Sequence, residues 1–192
     1  TDGLTGISNG LLPWSQGTGH VVPNKATDPG LVFDNSNIDW IRYQCKVNKA
    51  AVAPASDCTT YGTLDETYNV NLASITVGAV VGSTTVTRKV KNVSGSASVY
   101  TPTMTAPTGF TAVVSPASLS LAPGATGTFT VQLTAAGAVE NVWGYGSLSW
   151  SDGTHNVKIP VTARVGKAIT APALLTGNTT SGSRLVTVRT GF

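Results

Sequence analysis

The chain has 192 residues, of which 41% are hydrophobic and only 11% carry a charged side chain. The formal net charge is +3, and the cations are scattered and do not form the continuous stripe that nucleic-acid binding requires. No apolar run approaches the roughly 20 residues of a membrane-spanning helix. These properties argue against a nucleic-acid-binding or membrane-spanning protein and favour a β-rich secreted one.

Residues 1–34 are rich in glycine and are predicted to be irregular. The chain begins with Thr1 instead of Met, so we expect it to be processed or cut from a longer protein. Leu11, Leu12 and Trp14 have no matching apolar set in this stretch. Such side chains need a partner surface or form an exposed patch, so we expect them at a domain interface.

One short helix is predicted after Ser36, ending near Cys45. Ser36 and Asp39 have the spacing of a capping box, although Glu or Gln is the usual third-position partner. The apolar side of this helix would consist of Ile38, Trp40, Ile41 and Tyr43. A calcium loop is the alternative for residues 34–39, but the stretch lacks the glycine and the terminal glutamate of such loops.

The two cysteines, Cys45 and Cys58, are predicted to form a disulfide, which would stabilise so short a loop by roughly 3 kcal/mol. The alternative is a pair of buried free thiols in a cytosolic protein. Residues 46–68 contain Pro54 and Gly62 and are predicted to form a loop.

From about residue 69 onward, apolar residues alternate with polar ones, and Gly, Pro and Ser separate the segments. We predict strands at residues 73–81, 84–93, 98–105, 110–115, 118–121, 127–135, 146–151 and 154–165. This number of short strands in about 100 residues is typical of an immunoglobulin or fibronectin type III-like sandwich. The predicted fold class is therefore mainly β.

The clearest predicted hairpin lies at residues 151–154, where Asp-Gly suits a type I′ turn. A two-residue turn there would pair Trp150 with His155 and Leu148 with Val157.

Residues 166–192 do not continue the sandwich pattern. Residues 173–175 and 185–189 are predicted to be strands, and two strands alone are marginally stable. They are either the start of a further β-module or a β-arm packed on the sandwich.

Neither histidine has the neighbours that nucleophilic catalysis needs. His20 has no accompanying serine motif, and we predict that His155 is a half-buried strand residue beside Trp150. The cysteines and histidines also lack zinc-site spacing. We therefore expect no metal, no cofactor and no enzymatic activity in this chain alone.

Two further sets of residues have alternative interpretations. The first set is the four tryptophans, Trp14, Trp40, Trp143 and Trp150. They could form a platform that stacks on sugars, although tryptophans are much more often buried in a core. Residues 92–94 and 178–180 are N-glycosylation sequons, which matter only in a host that glycosylates.

Arg88 shares a strand face with Val86 and Val90. Its stem could pack while its head reaches water. Alternatively, its charge could pair with a carboxylate across a domain interface.

Four segments resemble, in order, motifs of secreted subtilisin-like serine peptidases: Gly17–Asp34, Asn69–Ile75, Thr85–Val93 and Leu148–Val157. The first is similar to the segment that closes the catalytic domain of that family, and the others to its C-terminal fibronectin-like domain. The chain departs from the family pattern at Ala73, where the family has proline. The resemblance implies a secreted serine endopeptidase with an Asp-His-Ser triad, whose serine and histidine motifs do not occur in this sequence.

The resemblance implies four regions. Residues 1–34 would end the catalytic domain, 35–68 would form a linker helix and disulfide loop, 69–165 the sandwich, and 166–192 the further module or arm. The chain would be the non-catalytic C-terminal part of the protease, stabilising the catalytic domain and shaping substrate access. The alternative is a stand-alone secreted binding module, such as an adhesin or a carbohydrate-binding sandwich.

The expected partner is the preceding catalytic portion, as a separate chain if the protein is nicked, with a polypeptide substrate contacted indirectly. The candidate interface residues are Leu11, Leu12, Trp14, His20 and Arg88.

Overall fold

The computed structural model describes Trp14, residues 17–19 and 21–166, and the backbone of residues 169–170 and 189–190. Leu11, Leu12 and His20 lie outside the described residues, as does the strand predicted at 173–175. No helix in the described part of the chain is long and apolar enough to cross a membrane.

The strands are β1 (Leu31–Val32), β2 (Ile75–Val80), β3 (Ser83–Asn92), β4 (Ser98–Thr105), β5 (Phe110–Ser115), β6 (Leu119–Leu121), β7 (Thr126–Ala135), β8 (Trp143–Ser151), β9 (Asn156–Val165), β10 (Ile169–Thr170) and β11 (Arg189–Thr190). One sheet has the order β1-β3-β7-β5 and the other β2-β9-β8-β4-β6. Strands β2 and β9 are parallel, and the other pairs in both sheets are antiparallel. The short β10 and β11 pair with each other. The predicted β-sandwich is confirmed.

The core lies between the two sheets, because alternate residues of each strand point inward. On β3, the inward-facing residues are Val86, Arg88, Val90 and Asn92, and all four are buried. On the other sheet, Trp150 is buried and its ring lies 5.1 Å from that of Phe129. Aromatic contacts of this kind add to the stabilisation from apolar burial.

The predicted helix is α2 (Asn37–Asn48), and two shorter helices, α1 (Pro23–Ala26) and α3 (Asp57–Tyr61), accompany it. At its start, the Ser36 hydroxyl accepts from the amide of Asp39, and the Asp39 carboxylate accepts from the amide of Ser36. The capping-box prediction is therefore confirmed, and the calcium-loop alternative is wrong.

The predicted disulfide is present. Cys45 on α2 and Cys58 on α3 are bonded, with their Cα atoms 5.6 Å apart, and both are buried. The bond fastens the two helices together beside the sandwich.

The register predicted for the β8–β9 hairpin is wrong. Trp150 pairs with Val157, and Leu148 pairs with Ile159, so the connection contains four residues instead of two. The carboxylate of Asp152 accepts hydrogen bonds from the amides of Thr154 and His155, which closes the longer loop. An Asx-type turn thus replaces the Asp-Gly turn that the sequence suggested.

Strand β8 begins at Trp143, earlier than predicted, because residues 143–146 pair with β9, and its glycines let residues 105–108 approach closely. A Cβ atom at Gly144 would lie 2.4 Å from the carbonyl oxygen of Thr108, and one at Gly146 would lie 2.3 Å from that of Thr105. Glycine here serves close backbone packing and does not interrupt the strand.

Candidate functional site

Residues 28–35 lie directly on the sandwich. Leu31 and Val32 pair with Asn92 and Lys91 of β3, and the amide of Val93 donates to the carbonyl of Gly30 at 2.9 Å. The side chain of Leu31 is only 3% exposed. The structure thus places part of the segment predicted to be irregular within the sheet, where backbone pairing and apolar burial hold it.

Gly30 allows this close approach. Its φ is +76°, and a Cβ atom there would lie 2.7 Å from Cβ and Cγ of His155 and 2.9 Å from the Tyr100 hydroxyl. Any other residue would combine a left-handed backbone with a steric clash. Gly30 therefore brings the preceding segment against the β8–β9 loop.

His155 lies between two carboxylates at this contact. Its Nδ1 is 2.8 Å from Oδ2 of Asp152, within the same loop. Its Nε2 is 3.1 Å from Oδ2 of Asp28, which is ion-pair distance without hydrogen-bond alignment. The side chains of His155 and Asp152 are 12% and 6% exposed, whereas that of Asp28 is 65% exposed.

These contacts shift the acid-base equilibria of the loop. The hydrogen bond to Asp152 and the proximity of Asp28 raise the pKa of His155. Burial of Asp152 opposes its ionisation, but hydrogen bonds from the ring and amide of His155 and the amide of Thr154 hold the pKa of Asp152 well below its usual range. His155 is partly buried, as predicted, but it lies in the β8–β9 loop and not in a strand, and its side-chain partners are two carboxylates.

Side-chain amides extend the contact along the edge of β3. Asn71 accepts from the amide of Lys89 at 2.7 Å and donates to the carbonyls of Lys89 and Asp34. Asn35 donates to the carbonyl of Asn71 at 2.8 Å. These bonds satisfy backbone groups that would otherwise stay open at a sheet edge.

Both interpretations of Arg88 are wrong, because its guanidinium is neither in water nor available to another domain. The residue is 2% exposed and donates to the carbonyls of Tyr68, Leu72, Ser74 and Thr87. Burial lowers the pKa of Arg88 to about 10. The residue fixes the chain that enters β2, and its burial keeps the guanidinium out of reach of an external carboxylate.

Trp14 remains a candidate interface residue, since it is 52% exposed. Its ring meets that of Trp143 at a centroid distance of 5.3 Å and an interplanar angle of 73°, and its indole N–H donates to the Tyr145 hydroxyl. The guanidinium of Arg164 lies over the other tryptophan ring, Trp143, at 5.0 Å. Trp14 thus contacts the sandwich while about half of its side-chain surface stays exposed.

The four tryptophans do not form one surface. Trp150 is in the core, and Trp40 contacts Tyr43 on α2. The perpendicular rings of Trp14 and Trp143 lack the shared flat face that sugar stacking uses. This geometry disfavours the sugar-platform interpretation.

The sequon at residues 92–94 has its asparagine buried. Asn92 is 0% exposed, donates to the carbonyls of Ser96 and Leu121, and accepts from the amide and hydroxyl of Ser94. The folded chain therefore has no room for a glycan at Asn92. The second sequon lies outside the described residues.

Among the described residues, no group of three or more His, Cys, Asp or Glu side chains could hold a metal ion. The ring nitrogens of His155 lie against the carboxylates of Asp28 and Asp152, an arrangement that suits attachment of the segment before β1. The sequence carried one signal of this contact: an aspartate three residues before His155. The second carboxylate, Asp28, is 127 positions away and no local pattern indicated it.

The comparisons with known proteins agree with this architecture. Residues 69–163 match the fibronectin type-III domain family. Two subtilisin-like proteases of Arabidopsis thaliana, SBT3.17 and SBT2.5, are each 36% identical to the chain, over 163 and 156 residues. These alignments cover 79% of this chain and 21% and 19% of the two proteases. The chain thus spans about a fifth of the length of the curated relatives it matches.

One solved structure with a similar fold, the CupB2 chaperone of Pseudomonas aeruginosa, has a TM-score of 0.40 and 13% identity, over 49% of this chain and 53% of that chain. The domain match and the sequence similarity together show that the chain belongs to the subtilisin-like protease family, as a C-terminal portion that carries a fibronectin type-III domain.

Proposed function

We propose that the chain is the non-catalytic C-terminal part of a secreted subtilisin-like serine endopeptidase, in which the sandwich stabilises the catalytic domain and helps to shape substrate access. The observation that carries the proposal is the pairing of β1 with β3, which builds the segment before the sandwich into its sheet. In the parent protein this segment would be the end of the catalytic domain itself.

A rigid connection is what stabilisation requires. Between Asp28 and Asn35 the segment bonds to the sandwich through backbone pairing, an ion pair and side-chain amides. A flexible linker would have let the two parts move independently. Contacts that hold the end of the catalytic portion exist only in the folded state, so they raise the free energy of unfolding.

The half-exposed Trp14 supports a contact surface for the catalytic portion. Full burial of a large apolar side chain contributes roughly 1.5–3 kcal/mol. Because Trp14 is 52% exposed on this chain, part of that stabilisation is still available to a partner. The catalytic portion is the partner that the family implies.

The test compares the full-length parent protease with a form that lacks residues 69–165. We expect the shortened form to inactivate at a lower temperature, or to fail to be secreted. Its kcat on a small peptide should stay within a few-fold of the parent's, since lost transition-state contacts would cost much more. Unchanged thermal stability together with lost binding to an insoluble substrate would instead support a binding module.

A second measurement addresses the chain by itself. We expect the purified chain to show no casein cleavage, because the triad would reside in the preceding portion. Cleavage that a serine-directed phosphonate inhibits would overturn the proposal.

A further inference from the structure

The contact between Asp28, His155 and Asp152 joins two parts of the chain that are far apart in sequence. Asp28 precedes β1, while His155 and Asp152 lie in the β8–β9 loop. This contact attaches the residues before β1 to the β8–β9 loop through side chains.

The ring of His155 can present a proton to both carboxylates in only one protonation state. A neutral imidazole has one N–H donor and one lone pair, so one of its nitrogens would face a carboxylate without a proton. The imidazolium carries a proton on each nitrogen: Asp152 lies at hydrogen-bond distance from Nδ1, 2.8 Å, and Asp28 lies at ion-pair distance from Nε2, 3.1 Å. The geometry therefore favours the charged ring.

Few other polar groups near the His155 ring could replace its interactions with Asp28 and Asp152. The Tyr100 hydroxyl approaches from β4, and Lys25 lines the same cavity as Asp28 and His155. Burial raises the pKa of Tyr100, so its phenol is neutral where histidine titrates. Asp28 and Asp152 are thus the anions that face the ring among the described residues.

We propose that His155 attaches residues 28–32 to the sandwich in a pH-dependent way: the protonated ring holds these residues in place, and deprotonation weakens the attachment. The proposal does not depend on the proposed function, since every residue in it belongs to this chain. The attachment of residues 28–32 to the sandwich is therefore expected to be more stable in mild acid than in alkali.

The sign follows from the direction of the two shifts. The pKa of His155 is raised, so its contribution is complete below the ordinary value of about 6.5 and is lost as the pH rises through the raised value. The pKa of Asp152 is lowered, so its contribution persists until the pH falls through that lowered value. The attachment is therefore strongest in the mildly acidic range.

The test uses NMR on the whole chain, with the ordinary histidine pKa of about 6.5 as the reference for the titration of His155. Hydrogen exchange of the Val93 amide reports attachment, because this amide donates to Gly30. Amides of the β3–β7 ladder report the fold itself. The variant is Asp28→Asn, which keeps the shape of an exposed side chain, and Asp34→Asn is the matched control in the same segment.

We expect the pKa of His155 to lie above the ordinary histidine value of about 6.5, and Asp28→Asn, but not Asp34→Asn, to lower it. The protection factor of Val93 should fall by about tenfold between about pH 6 and pH 9, on the order of the loss of one interaction with a charged group, while the ladder stays protected. The Asp28→Asn variant should lose most of this pH dependence. Constant Val93 protection, simultaneous loss in the ladder, or an unchanged His155 pKa in Asp28→Asn would overturn the proposal.

Discussion

Arg88 donates twice to the carbonyl oxygen of Ser74, from Nη2 at 2.8 Å and from Nε at 3.2 Å. Arg88 lies on β3, and Ser74 immediately precedes β2 of the facing sheet. One buried cation thus links the two sheets through backbone carbonyls. The arrangement makes Arg88 a structural residue of the sandwich.

Replacing this arginine should be costly. Arg88→Met keeps much of the apolar stem but leaves several carbonyls without a donor, so we expect the free energy of unfolding to fall by about 3 kcal/mol. Urea denaturation measures the change. Lys158→Met, an exposed cation on β9, is the control and should change stability by less than about 0.5 kcal/mol. Equal effects of the two substitutions would contradict the role of Arg88.

A methyl group at Gly30 should displace the segment before β1. Gly30→Ala adds a Cβ atom 2.7 Å from His155 at a φ of +76°, whereas Gly82→Ala adds one in open space at a φ of +69°. The second variant therefore measures backbone strain alone, about 1–2 kcal/mol. We expect Gly30→Ala to cost about 2 kcal/mol more, because the steric clash is added.

Thermal denaturation of both glycine variants checks this difference. Faster hydrogen exchange at Val93 in Gly30→Ala would locate the damage at β1. If the two variants unfold at the same temperature, the close contact with His155 does not constrain Gly30.

The capping box of α2 should make a measurable contribution to the free energy of unfolding. Ser36→Ala removes the hydroxyl that accepts from Asp39, and we expect a loss of about 1 kcal/mol. Ser56 precedes α3 without a side-chain capping bond, so Ser56→Ala is the matched control. Chemical denaturation should separate the two variants, and a loss in Ser56→Ala as large as in Ser36→Ala would contradict the capping assignment.

Asn92 should carry no glycan in the folded protein, whatever the host. Its side-chain amide is buried and bonded on both sides, so a sugar there would prevent β3 from packing. Glycopeptide mass spectrometry of the folded chain secreted from a eukaryotic host should find the peptide unmodified. A folded, glycosylated form would show that the bonds of Asn92 are dispensable.

The sequence by itself determined the elements whose signals are local. Alternation of apolar and polar residues predicted β3, β4, β5 and β7 to within a residue or two at each end, because one face of each strand packs on the core. The spacing of Ser36 and Asp39 predicted the start of α2, since a capping box involves residues only three apart. The pairing of Cys45 with Cys58 was also foreseeable, as no other cysteines compete.

Only the tertiary structure decided how distant residues meet. Arg88 and Asn92 continue the alternation of β3 as inward positions, but their partners come from other strands and loops that the pattern does not identify. The β8–β9 register depended on Asp152 bonding across its own loop, against the usual preference of an Asp-Gly pair. The carboxylate of Asp28 meets His155 because Gly30 admits the backbone and β1 joins the sheet. The alternation of apolar and polar residues predicts which face of a strand a side chain lies on. The residues that this side chain contacts depend on the path of the whole chain.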